Sequence, residues 1–269
     1  MSLLVYIGNE TFLHRSKGFP MQTREMREET FTVASFDSDF TGRVAMDGLF
    51  ERFQDIAGLH ATYLGVGFDK LRELNVAWML SRIKVHIENM PRWGETVTLR
   101  TWPKGVDRLF ALRDFRITSA RGDTLVLATT CWLLVDLERG KPRRMESLNV
   151  DLQFPGAAHA IREIPDKIAV PQTLQPAYER SIRVSELDLN EHVNNAQYIR
   201  WIMDCFDAAR LRARSVKSIQ LNYLEQARYG DRVGISMSGE GTSQYFEGVN
   251  QKDGRKIFQA LLEWYEEPT

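Results

Sequence analysis

The sequence lies over itself. "IKVHIENMPRWGETV" (Ile83 to Val97) matches "IQLNYLEQARYGDRV" (Ile219 to Val233) without a gap, at a constant shift of 136 positions that pairs Ile83 with Ile219 and Gly94 with Gly230. Further on, "GDTLVLATTCW" from Gly122 matches "GRKIFQALLEW" from Gly254 at a shift of 132, and upstream "VASFDSD" from Val33 matches "VSELDLN" from Val184 at 151. The order is kept and the shifts drift smoothly, as loop insertions in the first copy would cause. Such a duplication is a strong constraint, because whatever one copy folds into, the chain must build twice.

At 269 residues and 43% hydrophobic, the chain can bury a sizeable core, and the repeat divides it into two units of about 130 residues. We expect a peripheral extension over 1–29, a first unit over 30–145, a linker over 146–178 and a second unit over 179–269. The linker carries Pro155, Pro165, Pro171 and Pro176 with little periodicity, which suits an extended connector. Met21 would serve as an alternative start.

Each copy has one coarse plan. A short strand (Phe31 to Phe36; Arg180 to Ser185) leads through a polar loop into a helix, followed by several long strands. Leu49, Phe50, Phe53, Ile56, Ala57, His60, Ala61 and Leu64 keep the 3, 4, 7 spacing of one buried helical stripe, and Ile199, Ile202, Met203, Phe206 and Ala209 do the same in the second copy. The stretches after the first helix are rich in β-branched and aromatic residues, with turns at Trp93-Gly94 and Arg121-Gly122-Asp123. One helix per long antiparallel sheet, twice over, is an α+β layout in which each sheet wraps its helix.

Lysine plus arginine (35) nearly cancel aspartate plus glutamate (36), so the whole-chain field gives no reason to expect a nucleic-acid partner. Cys131 and Cys205 lack a CxxC spacing, which argues against a zinc site or a disulfide framework and for a reducing cytoplasm. No apolar run approaches the roughly 18 residues of a membrane span, and no membrane association is expected.

The stretch "LDLNEHVNNAQYIRW" (Leu187 to Trp201) is the chemically richest. Asn194 or Asn195 reads as an ordinary helix N-cap. A helix N-terminus also offers free N–H donors to a carbonyl oxygen that becomes negative under attack, and Asp188, Asn190 and His192 alternate just before it. The first copy has Asp37, Asp39 and Thr41 at the place that the repeat equates, with acids but no histidine. That difference suggests one chemical site per chain, in the second half, leaving the first to shape a substrate pocket.

"DLNEHVNNAQYIRWIMD" resembles the D-x-N-x-H-V-N-N-x-x-Y-I-x-W signature of the acyl-ACP thioesterases, which hydrolyse fatty acyl chains from acyl carrier protein. The likeness extends through "IQLNYLEQARYGD", "FDSDFTGRVAMDGLFERFQDIAGLHA" and "WMLSRIKVHIENMPRWGETVTLRTWP", roughly Thr30 to Glu266. It implies a tandem double hotdog fold, two antiparallel sheets each wrapped round a central helix. It also implies that Asn190 and His192 polarise a thioester carbonyl, and that Asp188 supports the site or orients the attacking water. The family's water-activating glutamate falls at Gln226, which can hold a water but cannot take its proton. The general base is then Asp188, which we favour, the neighbouring Glu225 if its strand bulges, or His192 itself.

The resemblance further implies a fatty acyl thioester substrate, an acidic carrier protein as partner and no metal or other cofactor. Met46, Phe50, Phe53, His60, Trp78, Met79 and Leu80 are candidates for an acyl tunnel, each serving equally well as core. Arg139, Lys141, Arg143 and Arg144 form one basic cluster for the carrier, and Arg210, Arg212, Arg214 and Lys217 another, which a helix C-terminus equally explains. Cys205, beside the buried stripe, reads as packing rather than as a nucleophile. Competing readings are an acyl-CoA thioesterase and a non-catalytic acyl-binding module that has lost its base. Two fused copies already make a pseudo-dimer, and a further homodimer is expected.

Overall fold

The computed structural model describes residues 21–150, 154, 158–239 and 241–266; the first 20 residues, the bulk of the expected extension, lie outside these. The first half contains β1 (Met21–Gln22), β2 (Arg27–Thr32), α1 (Met46–Tyr63), α2 (Phe68–Glu73), β3 (Val76–Ile87), β4 (Thr96–Asp107), β5 (Phe110–Ser119), β6 (Thr124–Asp136) and β7 (Lys141–Arg143). The second contains β8 (Gln175–Ser181), α3 (Asn195–Met203), α4 (Ala208–Ala213), β9 (Val216–Tyr223), β10 (Arg232–Ser238), β11 (Ser243–Asn250) and β12 (Lys256–Trp264).

The strands form one antiparallel sheet in the order β1-β2-β4-β5-β6-β3-β9-β12-β11-β10-β8, with β7 on β6. Read from the centre outwards, the two halves have the same order, β3-β6-β5-β4-β2 and β9-β12-β11-β10-β8. The two expected sheets therefore join edge to edge through β3 and β9, which satisfies the backbone groups that each would otherwise leave unpaired. In that ladder Lys84 lies opposite Gln220, with Ile83 against Leu221 and Val85 against Ile219. Lys84 and Gln220 are also the pair that the shift of 136 equates, so a local two-fold axis runs through them.

Alternation along the joining strands sets the layers. Ile83, Val85 and Ile87 on β3, and Ile219 and Leu221 on β9, are buried towards the helices. Against them α1 buries Met46, Leu49, Phe50, Phe53, Ile56, Ala57, His60 and Ala61, the stripe expected from the sequence. Burying each large apolar side chain stabilises the fold by about 1.5–3 kcal/mol. Gly94 and Gly230 both stand at φ +84 in the equivalent turns, a conformation that side chains with a Cβ rarely adopt.

Two details depart from expectation. The opening strands β2 and β8 lie a few residues earlier, starting at Arg27 and Gln175 and so before the expected unit boundaries at 30 and 179. They end because Asp37 accepts from the Ala34 N–H (3.1 Å) and Glu186 from the Arg183 N–H (2.7 Å), each closing a one-turn 3-10 helix. The second helix stops at Met203 and restarts as α4, because the Asp207 carboxylate caps a new helix through the Arg210 N–H (2.7 Å) and Phe206 turns edge-on to Phe246 and Trp264.

The connector is pinned to the face of the sheet away from the helices. The Trp102 indole donates to the Ala158 carbonyl (2.7 Å), Lys104 to Ile161, and Arg82 to Pro165 (2.8 Å). From the second half, Gln220 and Asn222 both donate to the Asp166 carbonyl (2.6 and 3.0 Å). Among the described residues no helix is long and apolar enough to cross a membrane.

Candidate active site

The polar stretch folds into a tight turn before α3. The Asp188 N–H donates to the His192 carbonyl (2.8 Å), and Oδ1 of Asp188 accepts the N–H groups of Asn190 (2.8 Å) and His192 (3.2 Å). Glu191 takes φ +61 to close the turn, and His192 bridges to Arg228 beyond β9. Asn194 then caps the helix, its Oδ1 accepting the Ala196 N–H (2.9 Å).

The first half builds the same turn two residues away from where the repeat alone placed it. Asp39 donates to the Arg43 carbonyl (2.8 Å), its Oδ1 accepts from Thr41 N (2.7 Å) and Arg43 N (3.3 Å), and Gly42 takes φ +74. The offset is therefore 149 positions, Asp39 to Asp188, and the counterparts of Asp188, Asn190 and His192 are Asp39, Thr41 and Arg43, not Asp37, Asp39 and Thr41. The upstream match at 151 failed because it aligned look-alike acids rather than the turn. The carboxylate is common to both halves; the amide and the imidazole belong to the second alone.

A cavity of about 590 Å³ lies along α1, inside the first half. One wall is the helix face Gln54, Ala57, Gly58, Ala61 and Thr62, at the spacing that repeats one side of a helix. Val66, Phe68 and Leu71 also line it, the sheet supplies Trp78, Gly105, Ala111, Arg113 and Trp132, and Leu189, Asn190 and Glu191 reach in from the second half. Its size and mostly apolar lining suit a small organic ligand. By the offset of 149, α3 ends at the counterpart of Gln54, so the helix of the second half is broken where α1 runs on through Ala57 and Gly58. In the second half Tyr198 packs instead against Trp201, Tyr223 and Phe258.

Of the proposed tunnel residues, Trp78 lines the cavity, its indole N–H on the Val66 carbonyl (3.0 Å). Met46, Phe50 and Phe53 sit in the core stripe, Leu80 is buried and Met79 half-buried, all outside the cavity lining. His60 is fully buried behind it, with Nε2 on the Thr23 carbonyl (3.0 Å) and Nδ1 facing Arg113 Nη1 (3.0 Å). Burial, and then the Arg113 guanidinium, hold its pKa down to about 4, so the ring is neutral, donates from Nε2 and accepts at Nδ1. Sequence reasoning missed Gln54, Gly58, Ala111 and Arg113, and read Ala57 and Ala61 only as part of the buried stripe. The run of small residues on that side of the helix was the available signal.

Asn190 is exposed and lines the cavity; His192, two residues on, is half-buried. Burial and the nearby Arg228 lower the His192 pKa, against Asp188 and Glu191, which raise it. Gln226 and Glu225 lie beyond the end of β9 in an exposed loop. The N–H groups of Leu224 and Glu225 both reach the Ile257 carbonyl (2.8 and 3.1 Å), two residues against one, and Glu225 pairs with Arg255 (3.5 Å). The loop returns through Ala227, whose carbonyl accepts the Val193 N–H (3.0 Å). Cys205 packs against the core with its thiol pushed up to about 12 by burial, too high for a thiolate nucleophile.

Of the two basic clusters, Arg139 to Arg144 follows Leu137, which lines the cavity and is half exposed. In the other, Arg210 donates to Gln244 (2.9 Å) and stacks on Phe206 and Trp264, and Arg212 covers Phe40.

The family model described as the acyl-ACP thioesterase N-terminal domain matches residues 24–151, and its C-terminal domain counterpart matches 172–266. The palmitoyl-acyl carrier protein thioesterase of Arabidopsis thaliana is 24% identical over 261 residues, covering 88% of this chain; the chain spans 63% of that relative's length. An acyl-ACP thioesterase structure from Bacteroides thetaiotaomicron superposes with a TM-score of 0.74 at 24% identity, covering 89% of this chain and 98% of that one. The 12:0-ACP thioesterase from Umbellularia californica superposes with 0.77 at 18% identity, covering 92% and 99%. These likenesses establish the tandem hotdog architecture, and the two domain matches, which together take in most of the sequence, make the chain a member of the acyl-ACP thioesterase family.

Proposed function

We propose that the protein hydrolyses fatty acyl thioesters of acyl carrier protein. The observation that carries this is that Asn190, from the second half, stands in the wall of an apolar cavity built by the first. An acyl tail lying along Ala57, Gly58 and Ala61 brings its thioester towards the loop before α3. There the Asn190 carboxamide N–H donates to the carbonyl oxygen. Water adds to the carbonyl carbon, its proton passes to neutral His192, and collapse of the tetrahedral adduct breaks the C–S bond, the thiolate leaving with the proton that His192 returns.

In this reading Asp188 holds the turn and His192 is the base. Oδ1 of Asp188 is already engaged by the N–H groups of Asn190 and His192, and Asp39 makes the same bonds in a half that has no imidazole. The cluster from Arg139 to Arg144, beside the cavity, is the dock for the acidic carrier.

The test is an activity panel of medium and long acyl chains on carrier protein and on CoA. Asn190→Ala and His192→Ala should each lower turnover by about a hundred- to a thousand-fold with folding intact. Wild-type rates in both would overturn the assignment. Faster CoA substrates would transfer it to that carrier, and inactive protein that retains stoichiometric acyl ligand would make it a binding module.

A further inference from the structure

We propose that Gln54 is a positioning residue that fixes the reactive loop of the second half against the acyl cavity of the first. The inference rests on the reading of Asn190 and His192 given above. Gln54 stands on α1, in the cavity wall, where a bound tail would pack against its methylenes. Its carboxamide is used at both ends. Nε2 donates to Asn194 Oδ1 (3.2 Å), and Oε1 accepts from Asn195 Nδ2 (2.9 Å).

Three features separate this clamp from ordinary helix packing. It needs a donor and an acceptor on one side chain, which only an amide supplies in that geometry. Asn194 Oδ1 is at the same time the cap of α3, and the Asn194 N–H is held by the Glu186 carbonyl (2.9 Å), so its displacement is passed to Val193 and His192 within two residues. It is also one-sided. By the offset of 149 the reciprocal contact would join Met203 to Ala45 and Met46, none of which carries an amide. A contact serving only to hold two like helices together would be as useful in both directions; this one points at the half that holds the imidazole.

Gln54→Leu keeps the bulk and removes both bonds; Gln54→Glu keeps the acceptor for Asn195 and loses the donor to Asn194. Under conditions where thermal melts show each variant folded, Gln54→Leu should lower kcat by about ten- to a hundred-fold, as a small misplacement of reacting groups does, with KM little changed and Gln54→Glu intermediate. Asn195→Ala added to Gln54→Leu should cost little more, because one clamp is lost only once. Losses that multiply, or kcat within about twofold of wild type, would overturn the proposal. An activity-independent arm follows the His192 ring by NMR titration. Gln54→Leu should shift its midpoint, since His192 would move relative to Arg228, Asp188 and Glu191, and an unmoved midpoint overturns the proposal whether or not the protein hydrolyses thioesters. Wild-type inactivity with a shifted midpoint would instead sink hydrolysis and keep the clamp.

Discussion

Asp39 and Asp188 make the same turn in the two halves, each accepting the N–H groups two and four residues ahead of it. The pair works as an internal control for the reactive loop. Asp39→Ala and Asp188→Ala should each cost about 1–3 kcal/mol of stability, as expected when backbone donors lose a charged acceptor, measured by urea unfolding. Only Asp188→Ala should also impair hydrolysis. Asp188→Asn keeps an acceptor oxygen and should retain more activity than Asp188→Ala; equal loss in both would make the carboxylate itself the base.

His192 should work in its neutral form. Burial and Arg228 push its pKa below the ordinary imidazole value, so the acid limb of kcat/KM should lie below about pH 6.5. Arg228→Gln removes a cation that disfavours imidazolium, raises the His192 pKa and should move that limb to higher pH. A limb that stays in place would assign it to another group.

Buried His60 makes stability pH-dependent. Above about pH 6.5 the ring is neutral in both folded and unfolded chains and contributes no pH dependence. Between there and its folded value of about 4, the unfolded chain binds a proton that the folded one refuses, so stability falls as pH falls through that window. Urea midpoints should drop from neutral pH to about pH 5, and drop less in His60→Gln.

Gly58 offers a way to shorten the cavity. It lines the wall, and a Cβ built there meets nothing within 4 Å. Gly58→Leu should therefore fold at least as well, gaining up to about 1 kcal/mol of helix propensity. It should also shift the chain-length profile towards shorter acyl groups. An unchanged profile would mean that the tail does not run along this face of α1.

Much of this architecture was legible from the chain. Leu49, Phe50, Phe53 and Ile56 announced α1, and the shift of 136 made β3 and β9 equivalent strands; that they pair with each other was not legible, because the repeat equates Ile83 with Ile219 while the antiparallel ladder sets it against Leu221. The break after Met203 was not legible, because Phe206 and Ala209 keep the helical period and only the side chain of Asp207 shows that a new helix has begun. The loop register was lost for a related reason: Asp37, Asp39 and Asp188 are the same residue type, and hydrogen bonds rather than identity decide which is equivalent. Gln54 stayed hidden because its partners lie 140 and 141 positions away; from sequence it is one more polar residue on a helix.

Trp102, Lys104 and Arg82 grip residues 158–165 from one half, while Gln220 and Asn222 grip residue 166 from the other. A slack tether could be lengthened at little entropic cost; this segment instead behaves as a seam sewn across the back of the joint. Cutting the gene there would yield fragments that must meet by collision and also recover the stitching, so reconstituted material should assemble in a concentration-dependent, slow step that the intact polypeptide never faces.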